Sequence, residues 1–142
     1  MQIHLCESID ALSLIGDAAC VETLKLLEEI EPDVVNVSKF FARPKTAAAH
    51  MQDGLVELGE IKRRSTVSAE LAKRISLKRN KRWVGWVGEV LVDEKGKVEG
   101  SWVGRNFAYK PIAIKTWDNL LGKTARVKVV EASATYLKGV IA

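Results

Sequence analysis

The sequence predicts an α+β chain: a strand–helix–strand unit of the α/β kind, a long basic helix, then a small five-stranded antiparallel β-barrel. Three observations lead there. Apolar residues recur at helical spacing in two separate segments. Five short strand-like runs fill residues 83–142, with glycine at the turns. Charge also changes sign along the chain. Residues 1–58 carry four Lys/Arg against ten Asp/Glu, residues 59–82 nine against two, and residues 83–142 nine against six.

The first unit is expected over residues 1–53. "IDALSLIG" (9–16) is a short apolar run closed by a Gly-Asp pair and reads as a buried strand. Asp17 is placed to cap the helix that follows. "ACVETLKLLEEI" holds Val21, Leu24, Leu27 and Ile30 at helical spacing. Pro32 ends that helix, because the residue before a proline avoids helical geometry. "DVVNVS" then reads as a strand. Strand, helix, strand is one repeat of a parallel α/β structure, which cannot close a sheet by itself. Residues 39–53 read as loop, with Arg43-Pro44 a rigid extended step.

The second segment, 54–81, is a helix expected from Leu55 to Arg79. Ile61, Val67, Leu71 and Ile75 fall within an arc of roughly 120°. Lys62 and Lys73 share another face, with Arg63 and Arg74 beside it. The basic run continues past the helix as "LKRNKRW".

The third segment, 82–142, is the barrel. "WVGWVGEVLVDE" leads into a turn at "DEKGKVEG" with Gly96. "SWVGRNFAYKPIAIK" follows, interrupted at Gly104, and Pro111 suggests a bulge or edge position. Ala125, Val127 and Val129 alternate with Arg126, Lys128 and Val130, and "YLKGVIA" is the last strand. Closure into a barrel removes the exposed sheet edges that so short a domain could not otherwise protect.

Composition excludes several classes of function. A chain of 142 residues with 47% hydrophobic content supports a core. No apolar run is long enough to span a bilayer, so no membrane partner is expected. "MQIHLCESID" lacks the basic start of a signal peptide, and a cytoplasmic location is expected. Cys6 and Cys20 are not a disulfide framework, nor is their spacing a zinc pattern. His4 beside Cys6 is half a metal site, and His50, the other histidine, does not complete it. No metal or catalytic residue is assigned. Cys20 falls near the apolar face of its helix and reads as a core thiol.

"SWVGRNFAYKPIAIK" (101–115) sets aromatic rings beside cations. A buried strand needs rings but not cations, and a solvated loop needs neither ring. A surface that stacks bases and neutralises phosphates uses both. The candidate RNA-binding residues are Arg105 for phosphate or base contact, Asn106 beside it, Tyr109 and Trp102 for stacking, and Lys110 for phosphate. Lys78, Arg79, Lys81 and Arg82 form a second, nonspecific patch. The competing reading places Trp102 and Phe107 in the core, with Arg105 covering a barrel end.

"GEVLVDEKGKVEGSWVGRNFAYKPIAIK…LGKTARVKVVEASATYLKGVIA" resembles the TRAM domain, a small RNA-binding, OB-like β-barrel. Its "VGRN-AYKP" resembles the archaeal and eukaryotic-type tRNA methylthiotransferases, radical-SAM enzymes that thiomethylate threonylcarbamoyladenosine beside the anticodon. "TLKLLEEIEPDVVNVSKFFARPKTAAAHM" resembles the last helix–strand unit of the radical-SAM barrel. "IKRRS…LAKRISLKRNKRWVG" resembles the helix joining that barrel to TRAM. The resemblance runs over about residues 20–142.

It implies a tRNA partner, held at the anticodon stem-loop, and in the full-length family [4Fe–4S] clusters and S-adenosylmethionine. Three closely spaced cysteines hold the family's radical-SAM cluster. They are absent here, so neither cofactor is expected in this chain. The family's Gly-Phe-Pro-Gly-Glu-Thr-like turn is replaced by "SLIGDAAC". Arg43-Pro44 is kept, but the family's following Gly is Lys45, and a proline before the alanines is missing. Three readings stay open: a tRNA-binding portion inert alone, a stand-alone TRAM-type RNA-binding protein, or one half of a split enzyme completed by a separately encoded radical-SAM half.

Overall fold

The computed structural model describes residues 2–3, 17–37, 44–45, 50 and 56–142. The chain divides into two compact units, residues 1–76 and 77–142.

In the first unit, helix α1 spans Asp17–Ile30 and opens on Asp17 itself. Glu31 leaves the helix in the left-handed region at φ 47°, and its N–H bonds the Leu27 carbonyl at 3.0 Å. Pro32, fully buried, prevents continuation. Strand β2 is only Val34–Val35 and pairs in parallel with β1, Gln2–Ile3. The strand expected over 9–16 lies outside the described residues, as does most of the expected loop. Within that loop Lys45 takes φ 67°, a left-handed conformation that favours glycine. Glycine is the residue the resembled family has there.

Helix α2 spans Leu58–Lys81. It starts three residues later than the sequence suggests and ends two later. Its buried stripe is Arg64, Ser68, Leu71, Ala72 and Ile75, whereas Val67 is exposed. The stripe includes an arginine because Glu60, one turn earlier, accepts a hydrogen bond from Arg64 Nε at 2.8 Å. A buried charge needs such a partner. Leu71 and Ile75 pack with Cys20 and Leu27 of α1, joined by Leu24, Val35 and Val37. Cys20 is therefore a core thiol.

The second unit is a closed barrel of β3 (Val87–Lys95), β4 (Ser101–Arg105), β5 (Pro111–Lys115), β6 (Thr124–Ala132) and β7 (Leu137–Ile141). The strand order is β3-β4-β5-β7-β6. The expected purely antiparallel barrel is corrected at one seam: β5 and β7 run parallel, pairing Ile112 with Leu137 and Ile114 with Gly139. The reason is parity. Up-and-down alternation around a closed ring needs an even number of strands, so a ring of five must contain a parallel pair.

Val90, Val92, Ile112, Ile114, Val127, Val129 and Leu137 point inward and fill the core. Most are β-branched, as pleated, tightly packed strands favour. Gly139 is in the same layer because a Cβ there would overlap Val127 Cγ1 and stand 2.9 Å from Ile112 Cγ2.

Two bulges interrupt the ladders, between Val92 and Glu94 and between Val129 and Glu131. The first turns both Asp93 and Glu94 outward, where regular alternation would hide one of them. Pro111 opens β5 opposite Arg105, at the start of a strand, where its missing N–H is tolerated.

Candidate nucleic-acid interface

The chain breaks between β4 and β5 at residues 106–110, not at Gly104. Gly104 continues β4, where a Cβ would stand 3.1 Å from the Leu91 carbonyl oxygen. Asn106 closes the loop. Its Oδ1 accepts from the Ala108 N–H at 3.1 Å and the Lys110 N–H at 3.0 Å, and its carbonyl accepts from the Tyr109 N–H at 2.9 Å. These bonds hold Tyr109 at φ 62°. A non-glycine residue there costs of order 1–3 kcal/mol and persists only where its surroundings impose it, as these bonds do.

The loop presents two rings to solvent. Phe107 is 84% exposed and Tyr109 76% exposed. Phe107 also touches two tryptophans, its centroid 5.8 Å from Trp83 and 6.3 Å from Trp86. Trp83 and Trp86 meet edge-to-face at 5.8 Å. The turn carrying them is tied to β6: the Gly85 N–H bonds the Val129 carbonyl, and the Val129 N–H bonds the Trp86 carbonyl, both at 2.9 Å.

Arg105 ends β4 beneath Tyr109, its guanidinium carbon 5.2 Å from the ring centroid. Nε donates to Asp93 Oδ2 at 2.8 Å and Nη2 to Glu94 Oε1 at 3.2 Å. The Asp93 hydrogen bond raises its pKa further above the ordinary value. The bulge in β3 thus supplies both carboxylates that orient this cation against the tyrosine.

Lys110 turns inward. It is 7% exposed, and its Nζ donates to Asn80 Oδ1 at 3.0 Å. Asn80 Nδ2 in turn donates to the carbonyls of Ser133 at 2.9 Å and Ala134 at 3.3 Å. Asn106, 4% exposed, leaves its Nδ2 without a partner. Lys78, Lys81 and Arg82 are exposed and Arg79 half-buried, around the end of α2. Cations there also complement the helix dipole.

Trp102 sits at the far end of β4, half-buried against the core, with Nε1 donating to the Thr116 carbonyl at 3.2 Å. Of the candidate residues, the structure therefore brings Arg105, Asn106, Tyr109 and Lys110 into one loop assembly and leaves Trp102 apart. It adds Phe107, Trp83 and Trp86, which sequence reasoning did not select. The signal for the two tryptophans was the aromatic pair immediately after the basic run in "KRNKRWVGW".

Residues 81–142 match the TRAM domain family. This barrel is a TRAM domain. Beyond it, the chain is 34% identical over 82% of its length to a probable threonylcarbamoyladenosine tRNA methylthiotransferase of Methanothermobacter thermautotrophicus, covering 26% of that protein. A protein of the same description from Archaeoglobus fulgidus is 32% identical over 85% of the chain and 27% of its own length. A tRNA-2-methylthio-N(6)-dimethylallyladenosine synthase of Pelotomaculum thermopropionicum is 36% identical over 84% of the chain and 27% of its own length. The chain spans about a quarter of these relatives, and the matched part is the C-terminal end of the threonylcarbamoyladenosine enzymes. The loop of Phe107 and Tyr109, the Arg105 pair and the buried Lys110 all belong to the TRAM barrel. Among the described residues, no helix is long and apolar enough to cross a membrane.

Proposed function

We propose that this chain is a tRNA-binding module which holds the anticodon stem-loop for thiomethylation of the neighbouring threonylcarbamoyladenosine, and that it is inert alone. The observation that carries the reading is the pair of exposed rings, Phe107 and Tyr109, beside Arg105 on a TRAM barrel. RNA loops present unstacked bases, which aromatic and guanidinium planes stack on. The Lys78, Arg79, Lys81 and Arg82 run supplies the sequence-independent attraction to phosphate. Relatives named for two different modified adenosines match the chain at 32–36%. That supports recognition of features the tRNAs share over recognition of the N6 group itself.

The cysteines do not fit the family's cluster. Cys20 is buried among Leu27, Leu71 and Ile75, and Cys6 is fourteen positions away in sequence. We therefore assign no step to a cluster or to S-adenosylmethionine in this chain. Any such chemistry would come from a radical-SAM cluster held by residues other than these two cysteines. Anaerobic reconstitution followed by iron and sulfide analysis should give no stoichiometric cluster, and a cluster with its visible absorption band would reverse this assignment.

Titration of an anticodon stem-loop RNA at several salt concentrations tests the binding. Tyr109→Ala and Phe107→Ala should each weaken it by about 1–3 kcal/mol with the salt dependence kept. The quadruple Ala variant at Lys78, Arg79, Lys81 and Arg82 should lower the slope of log affinity against log salt by roughly 0.7–0.9 for each phosphate it no longer neutralises. Binding that is indifferent to both kinds of change would place the interface elsewhere.

A further inference from the structure

The far end of the barrel carries another exposed ring. Trp117 follows β5, so it lies at the opposite end of that strand from Tyr109. It is 81% exposed. It nonetheless rests against the backbone: a Cβ added at Gly100 would stand 3.2 Å from Cε3 and Cζ3 of the indole, so a side chain there would push the ring outward by a few tenths of an ångström. Gly100 has φ 69°, which independently favours glycine.

The loop beneath the ring is fixed. The Thr116 N–H bonds the Gly100 carbonyl at 2.9 Å, the Asp118 N–H bonds Thr116 Oγ1 at 3.2 Å, and Trp102 Nε1 bonds the Thr116 carbonyl. An indole held on one side and open on the other is a preorganised stacking surface.

We propose that Trp117 is a second base-stacking point, which takes an unstacked nucleobase of the same RNA strand that engages Phe107 and Tyr109. The inference rests on the RNA-binding reading above. The strand between the two points, Pro111–Lys115, is about 13 Å long at ~3.3 Å per residue. A strand crossing one OB-type barrel occupies about 4–16 nucleotides, enough to touch both ends.

The surroundings favour a base over a phosphate or a protein. Lys95, Lys97 and Lys115 are interspersed in the chain around this end with Glu94, Glu99 and Asp118, three charges of each sign, so no cluster of one sign forms in the sequence here. One indole offers about 150–250 Å², and the neighbouring exposed Val98 and Leu121 do not raise this to the ~800 Å² per partner of a stable protein interface.

The test uses unstructured RNA oligonucleotides of about 4 and about 16 nucleotides, the limits of the site size. The intact chain is compared with Trp117→Ala, Trp117→Phe and Tyr109→Ala. Trp117→Ala should weaken the long RNA about five- to a hundredfold, with an unchanged salt slope and no effect on the short RNA. Trp117→Phe should restore most of the loss, and Tyr109→Ala should weaken both lengths. If Trp117→Ala binds the long RNA like the parent, or weakens both lengths equally, the second stacking point is wrong and the first stands. If the parent binds neither length, the RNA-binding reading falls and takes this one with it. Thermal unfolding of each variant separates lost binding from lost folding.

Discussion

Lys110 Nζ lies 3.0 Å from Asn80 Oδ1, joining the ring-bearing loop to the end of α2 through a buried charge. From its buried place, Lys110 is expected to position Tyr109 and Phe107 rather than to contact a phosphate. Lys110→Met should weaken RNA binding and lower barrel stability by about 1–3 kcal/mol, because Asn80 Oδ1 loses this donor. The salt slope of RNA binding should stay at the parent's value. Lys81→Ala, at an exposed cation, should instead reduce that slope by roughly 0.7–0.9 with unchanged stability. A reduced slope in Lys110→Met would show that the ammonium reaches the RNA.

Gly139→Ala should destabilise the barrel by about 1–3 kcal/mol, since the added methyl meets Val127 and Ile112, both fully buried. Urea unfolding monitored by tryptophan fluorescence reads this directly. An unchanged midpoint would mean that the β5–β7 seam yields freely.

Glu60 accepts from Arg63 at 2.7 and 2.6 Å and from Arg64 at 2.8 Å. The Arg63 and then the Arg64 hydrogen bonds lower its pKa from 4.5 to about 2. A carboxylate depressed in the folded state contributes stability above its unfolded value, and that contribution disappears as pH falls through the folded value. Glu60→Gln should therefore be less stable than the parent at neutral pH. The gap should close between pH 4.5 and about 2. Helix unfolding followed by circular dichroism across that window checks it, and a gap independent of pH would refute the pairing.

Lys45→Gly should stabilise the first unit by up to about 1 kcal/mol. It removes the left-handed penalty of a side-chain-bearing residue, partly offset by glycine's greater freedom when unfolded. Thermal unfolding would show a raised midpoint. A lowered one would mean that the Lys45 side chain contributes more than its backbone strain costs.

Amide exchange should be fast at Val34–Val35, where β2 has two residues paired with two, and slow at Val127–Val129, which stand between β3 and β7 in a closed ring. The reverse order would mean that the two-residue β1–β2 pairing is held more firmly than the closed barrel.

Much of this was legible in sequence because its causes are local. The apolar spacing of α1, the alternation in β6 and the stop at Pro32 are written in neighbouring residues. The misplacements have distant causes. Lys110 cannot be read as buried until Asn80, thirty positions earlier, is beside it. Arg64 enters the dry stripe of α2 through Glu60, which shifts the apolar arc away from Val67. The break placed at Gly104 belongs to Asn106, whose side chain, not the glycine, turns the strand. Phe107, a core residue in the competing reading, faces out because its loop has already left the ladder. The parallel seam needed only the count of strands and the assumption of closure.

That seam also bears on how the barrel assembles. β3–β4, β4–β5 and β6–β7 are each neighbours in sequence and can zip from their own turns. Pairing β3 with β6 and β5 with β7 requires ring closure across long stretches of chain, and distant pairings form slowly. Closure should therefore come late. Leu137→Ala, at the three-pair seam, should chiefly accelerate unfolding and leave the refolding rate nearly unchanged in stopped-flow experiments. The parallel seam would then be the place where the native barrel first comes apart.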